Sequence, residues 1–181
     1  MLICAMFYES REGEYFMKNL YIVRHSKAVE FAPDYTDFNR CLADSGVKKA
    51  TLIADQLIKE VDQVDLIISS PACRAFETAQ IFAEKLNYPL DTIQLYQPLY
   101  HFGGIDRAID IISEIPDDIE SLMLVGHNPT FNALAWHLCP EFRSGMPTSA
   151  VVALAFKMKS WSLITRKKGA LLAYLTRKAL D

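Results

Sequence analysis

Three short apolar runs punctuate the chain, and each stops at a polar cluster. Residues 20–23 (LYIV) lead into Arg24, His25 and Ser26. Residues 65–68 (DLII) lead into Ser69, Ser70 and Pro71, and residues 122–125 (LMLV) into Gly126, His127, Asn128 and Pro129. Runs with almost no apolar–polar alternation predict strands buried on both faces, as in a parallel or mixed sheet under helices. Between them the spacing becomes helical. Apolar positions 47, 50, 54, 57, 58 and 61 predict a helix over 47–61, with Asp44 or Ser45 as its N-cap. Pro71 suits the first turn of a second helix whose face carries Ala75, Ala79, Phe82 and Leu86. Ile105, Ala108, Ile109, Ile112 and Ile115 mark a third behind Gly103 and Gly104. Asn128 and Pro129 read as N-cap and first residue of a fourth, carrying Leu134, Ala135 and Leu138. Residues 150–156, 161–165 and 170–176 read as strands, the last two joined by a turn at 166–169 into an antiparallel hairpin. Strands alternating with helices predict an α/β fold.

Composition narrows the class. The 181 residues are 51% apolar and 23% charged, which excludes a disordered chain and fits one domain. With 19 basic against 22 acidic residues the formal charge is −3, which argues against a nucleic-acid binder. Cys4, Cys41, Cys73 and Cys139 form no C-x-x-C pair and no zinc spacing with a His, so free thiols in a reducing cytoplasm are expected. Residues 1–8 are apolar but too short to span a bilayer and lack a basic leader, so no membrane contact is expected. Met17 opens a segment that runs straight into the first strand. Residues 1–16 are therefore expected to be an N-terminal extension to a single domain over 17–181.

The chemistry sits at the strand ends. In open α/β sheets ligands bind beyond the carboxyl ends of the strands, so Arg24, His25, Arg74 and His127 are expected to converge. Two guanidiniums match phosphate oxygens bidentately, and Arg74 lies in a first helical turn, which also favours an anion. Two histidines beside them can supply a nucleophile and a donor. Phosphate is the substrate group this set suits. No P-loop is present and no Asp/His cluster suggests a metal, so side chains would meet the phosphoryl charge.

The motifs resemble those of the histidine phosphatase superfamily, and most closely its small SixA-type phosphohistidine phosphatases. The matching segments are YIVRHSK (21–27), DFNRCLADSG (37–46), SPACRAFETA (70–79), VGHNP (125–129) and PTSAVVALAF (147–156). The resemblance implies a phosphoglycerate-mutase-like three-layer α/β fold, with a mostly parallel central sheet flanked by helices and an antiparallel edge. It implies His25 as a nucleophile that becomes phosphorylated, with Arg24, Arg74 and His127 binding the phosphoryl oxygens and no cofactor or metal. His25 must then be neutral, helped by repulsion from the arginines, while His127 is more useful as a cation. Ser70 either offers a hydroxyl or caps its helix. Arg40 either reaches the phosphate or pairs with Asp37 or Asp44.

The family's usual leaving-group acid has no counterpart in residues 94–106 (QLYQPLYHFGGID), where His101 and Asp106 are the remaining candidate donors. SixA-type members resemble this chain in lacking it. A phosphohistidine needs no such acid, because its ring can be protonated before it leaves. The expected substrate is therefore a histidine-phosphorylated protein, such as a phosphotransfer domain. A phosphatase or mutase for a small sugar or nucleotide phosphoester is one alternative, and a catalytically silent phosphate-binding module another. Position 26 is Ser where many members have Gly or Ala. Thr148 and Ser149 line the site or only turn the chain, and Cys73 reads better as a buried thiol than as a redox group. The seven basic and no acidic residues over 157–178 form a solvated face or attract an acidic partner.

Overall fold

The computed structural model describes residues 17–33, 36–61, 63–100, 104–166 and 168–179. The N-terminal 16 residues and His101 therefore lie outside the described residues. Six strands make one mixed sheet: β1 (Met17–Arg24), β2 (Leu66–Ser69), β3 (Gln94–Leu95), β4 (Ser121–Gly126), β5 (Val151–Lys157) and β6 (Ala170–Leu175), in the order β3-β2-β4-β1-β5-β6. The pairs β1–β4, β2–β4 and β2–β3 are parallel. β5 and β6 add an antiparallel edge beside β1. Among the described residues the α-helices are α1 (Asp44–Leu57), α2 (Cys73–Lys85), α3 (Gly104–Ser113) and α4 (Thr130–Leu138).

The unalternating strands are explained by two cores. Leu20 and Ile22 of β1 and Leu122 and Leu124 of β4 face one core, which also holds Ile112, Phe131, Leu134 and Trp161. Tyr21, Val23, Met123 and Val125, from the alternate positions, face the other, with Ala50, Ile53, Ala79 and Phe82. Side chains alternate in direction along a strand, so both sets must be apolar when helices cover both faces. Full burial of each such Leu, Ile or Phe contributes roughly 1.5–3 kcal/mol.

Several boundaries differ from the sequence expectation. Ala43 caps α1, its carbonyl accepting from Gly46 and Val47 at 2.7 and 2.9 Å, and Asp44 is the first helical residue. That helix ends at Leu57 rather than at Val61. Ala72 caps α2, so Pro71 precedes the cap, and Pro129 rather than Asn128 caps α4. Trp161–Arg166 is a 3-10 helix, not a strand, so the hairpin with 170–176 does not form and β6 pairs with β5 instead. Three residues per turn put Trp161 and Ile164 on the same side, where both are fully buried. The indole N–H of Trp161 donates to the Ile119 carbonyl at 2.7 Å. The cysteine expectation also fails: Cys41 and Cys73 form a disulfide, while Cys139 is free and buried. Two residues far apart in sequence reach each other once the loop before α1 lies over the start of α2.

Candidate active site

Parallel register brings three chain segments to one end of the sheet. Arg24 lies opposite Gly126, and Ser69 opposite Val125, so β1, β4 and β2 all finish at the same level. His25, His127 and Ser70 follow directly. The His25 backbone is held from both sides: its N–H donates to the Gly126 carbonyl at 2.9 Å, and its carbonyl accepts from Ser149 N–H at 3.2 Å. The two imidazoles lie with centroids 4.8 Å apart.

His25 Nδ1 is 2.7 Å from the Ser26 carbonyl. A carbonyl only accepts, so the proton sits on Nδ1 and the Nε2 lone pair is unprotonated. His127 Nε2 is 2.8 Å from the Ser70 hydroxyl, which also accepts from Ala72 N–H at 3.3 Å. Ser70 thus positions His127 and lies before the α2 cap. Arg24 Nη1 donates to the Met146 carbonyl at 2.7 Å, while Arg24 Nε and His127 Nδ1 are buried and make no hydrogen bond to the described residues. A phosphoryl oxygen would supply the acceptor each nitrogen can use.

Arg74, in the first turn of α2, is anchored by Asp37. Its Nη1 donates to the Asp37 carbonyl at 2.5 Å and its Nη2 to Asp37 Oδ2 at 2.8 Å. Arg40 takes the other carboxylate oxygen at 2.9 Å, and its Nε and Nη2 both donate to the Val29 carbonyl. Arg40 therefore sits on Asp37. Tyr100 donates to Asp37 Oδ2 at 3.4 Å, and its ring lies edge-on to His127 with centroids 5.7 Å apart. Asp106 is an exposed residue of the first turn of α3.

Burial sets the protonation states. His25 is pushed down to about 4, first by burial and then by the charges of Arg74 and Arg24, against the Ser26 hydrogen bond and Asp37. The arginine repulsion expected from sequence is present but secondary. His127 falls to about 3 through burial, then His25 and Arg74, so it is neutral in the free protein rather than cationic. A neutral ring still donates from Nδ1 if the Ser70 hydroxyl donates to Nε2. For Asp37, burial raises the pKa, but the hydrogen bond and charge of Arg74, then those of Arg40, outweigh it and hold the carboxyl below its ordinary range.

These shifts have a sign. A His whose folded pKa lies below its unfolded value of 6.5 resists protonation only while folded. Its contribution to stability is complete above about pH 6.5 and is lost as pH falls towards 4 and 3. The expected result in an imidazole NMR titration is two rings with midpoints well below 6.5, with thermal stability declining over the same range. Midpoints near 6.5 for both rings would contradict the buried site.

The sequence singled out Ser26, Thr148 and Ser149 but not the bonds by which they hold this site, and Thr78, Lys49 and Gly46 went unweighed. Ser26 is fully buried; its N–H donates to Thr78 Oγ1 at 3.0 Å and its hydroxyl to the Gly46 carbonyl at 2.7 Å. Ser149, in the left-handed region at φ 63°, donates to the Ser26 hydroxyl at 2.6 Å. Thr78 in turn donates to the Arg74 carbonyl at 2.6 Å. Lys49 reaches Thr148 Oγ1 at 3.1 Å, and burial followed by the charges of Arg24 and Arg177 lowers its pKa. The start of α1 also presses on this loop. A Cβ on Gly46 would stand 2.1 Å from the Lys27 carbonyl oxygen. Gly46→Ala is therefore expected to lower stability by about 1–3 kcal/mol and to disturb the loop carrying His25. Urea midpoints and phosphate affinity check this, and wild-type values in both would rule the contact unimportant.

Comparison with known proteins adds the family. The sequence model of the histidine phosphatase superfamily (branch 1) matches residues 20–95. Over that span, less than half of the chain, the sequence is similar to the histidine phosphatase superfamily. Phosphohistidine phosphatase SixA of Escherichia coli is 24% identical over 135 residues, covering 74% of this chain and 82% of that protein. An uncharacterized protein of Mycobacterium tuberculosis is 28% identical over 113 residues, 62% of this chain and 67% of the relative. A solved structure of the protein histidine phosphatase SixA complexed with tungstate superposes with a TM-score of 0.76 at 21% identity, covering 90% of this chain and 99% of that one. The mycobacterial glucosyl-3-phosphoglycerate phosphatase shares the fold at 16% identity, with a TM-score of 0.61 over 86% and 97% of the two chains. At these identities the structural likenesses speak to the fold. Of the site residues, Arg24, His25, Ser70 and Arg74 lie within the matched span, and His127 lies beyond it.

Proposed function

We propose that this chain is a metal-independent phosphatase that hydrolyses phosphohistidine on a protein through a phosphorylated His25. The observation that carries this reading is the Nδ1 hydrogen bond of His25 to the Ser26 carbonyl, which leaves Nε2 with its lone pair on a ring that feels the charges of Arg74 and Arg24. Nε2 attacks phosphorus, the P–N bond to the substrate imidazole breaks, and the previously protonated substrate ring leaves neutral. Because Nδ1 keeps its proton, phosphorylated His25 is itself an imidazolium. Water then attacks phosphorus, His25 departs as the neutral ring, and one water proton passes to solvent. Arg24, Arg74 and His127 hold the phosphoryl oxygens in both steps.

Substrate class follows from proton supply. An ester's alkoxide needs an acid, whereas exchange of one P–N bond for another does not. Asp37, the carboxylate that joins Arg74, Arg40 and Tyr100, is held ionised and is a poor proton donor. This supports a phosphohistidine substrate, and the likeness to proteins called SixA agrees with it. Lys49 and Arg177 add positive charge near Arg24, which suits the acidic surface of a phosphotransfer domain. The second reading, a small phosphoester, is favoured by the fold shared with a glucosyl-3-phosphoglycerate phosphatase. Among the described residues no helix is long and apolar enough to cross a membrane. The proposed substrate, a histidine-phosphorylated signalling protein, is what supports a cytoplasmic location.

Turnover of a histidine-phosphorylated protein and of sugar phosphates, both in EDTA, separates the readings. The expected kcat/KM is at least about tenfold higher for the protein substrate. Equal or better turnover of a sugar phosphate defeats the substrate assignment, and a strict Mg²⁺ requirement defeats the metal-free one.

A further inference from the structure

Beside the phosphoryl pocket lies a second reactive pair that the proposed chemistry does not use. Cys41 and Cys73 are both partly exposed and disulfide-bonded, with Cα atoms 4.7 Å apart. Cys41 directly follows Arg40, and Cys73 directly precedes Arg74, the two arginines that share Asp37. The same junction is fastened by Cys73 N–H to the Phe38 carbonyl at 3.0 Å and by Leu42 N–H to Glu77 Oε2 at 2.5 Å. Arg74 adds its two bonds to Asp37. Of these fastenings only the disulfide can be made or broken by electrons.

We propose that Cys41 and Cys73 form a reversible redox site, reduced by dithiols and reoxidised by small disulfides, whose state sets how tightly Arg74 holds a phosphoryl group. A thiolate of the dithiol attacks Cys41 Sγ, the S–S bond breaks, and the electron pair goes to Cys73 Sγ. Cys73 is the better leaving group because it opens α2, where free N–H groups and the helix dipole stabilise a thiolate. The second thiol of the reductant then resolves the mixed disulfide and frees Cys41. Two electrons and two protons end on the cysteines, and the reductant leaves as its own disulfide. Glu77 places a carboxylate oxygen within 4.8 Å of both sulfurs, which disfavours two thiolates together. With the bridge closed, residues 36–42 are tethered to α2 and Asp37 stays on Arg74. With it open, that segment can lift locally, and the Arg74 fork loses its anchor.

The inference rests on the pocket binding phosphate and not on which phosphorylated substrate it serves. The test is calorimetric titration of the full chain with inorganic phosphate, oxidised and after treatment with dithiothreitol, alongside alkylation and peptide mapping. Reduction is expected to expose both Cys41 and Cys73 to alkylation and to weaken phosphate binding at least about fivefold, with oxidised glutathione restoring it. Cys41→Ser is expected to hold the weaker affinity whether or not reductant is present. Equal affinity in both states overturns the coupling alone, and absence of the bridge from air-oxidised protein overturns the site. Phosphate binding in neither state overturns the pocket reading, and the coupling with it. If the reduced protein instead takes up one Zn²⁺ and regains tight binding only with it, Cys41, Cys73 and Glu77 form a metal site and the redox assignment is wrong.

Discussion

His25→Ala is expected to reduce kcat/KM by at least about 10³-fold, close to 4 kcal/mol of transition-state stabilisation, with little loss of fold. Among the described residues the side chain makes one hydrogen bond, to the next residue's carbonyl, whereas the backbone bonds to Gly126 and Ser149 survive the substitution. Wild type should accumulate an acid-labile, base-stable phosphoenzyme that the variant lacks. A second consequence is electrostatic. The charge of His25 is the next cause after burial of the low His127 pKa, so that ring should titrate higher in the variant. Retained turnover in a folded His25→Ala protein would refute the mechanism.

Arg74→Ala should cost about 10²–10³-fold, the scale for losing one oxyanion donor, and its particular interest is the group it leaves behind. Without Arg74, Asp37 keeps Arg40 on Oδ1 and Tyr100 on Oδ2, but the cation that stood between Oδ2 and the phosphoryl site is gone. The expected result is a loss that Asp37→Asn partly reverses when combined with it, by threefold or more, because the repelling charge is then gone. Arg74→Lys should lie between, since an ammonium cannot bond the Asp37 carbonyl, its carboxylate and a phosphoryl oxygen in one plane. Strict additivity of Arg74→Ala and Asp37→Asn in kcat/KM would show that Asp37 does not act through Arg74.

The parts legible in the sequence were those where one local signal carried the information. Apolar runs ending in His25 and His127 marked two strands and the site together, because the fold puts ligands where such strands end. The hydroxyl network was not legible, since Ser26 meets Thr78 across 52 residues and Ser149 across 123. Nothing in the spacing of Cys41 and Cys73 announces a bridge, and free thiols were the compositional expectation. Trp161 and Ile164 misled in another way: an apolar, β-forming segment took a period of three because the indole had the Ile119 carbonyl to meet. Tyr100 went unweighted because its role needs both Asp37 and His127 nearby.

The placement of β1 between β4 and β5 divides labour within the molecule. The His25 ring hangs from a backbone clamped by Gly126 of β4 on one side and by Ser149, just before β5, on the other, so its anchor moves only if this end of the sheet opens. Asp37 and the Arg40 and Tyr100 that bond to it come instead from segments connecting the helices and strands. Such segments can change in length and sequence without disturbing the sheet. The ring of His25 and the Asp37 cluster that holds Arg74 can therefore vary independently of one another.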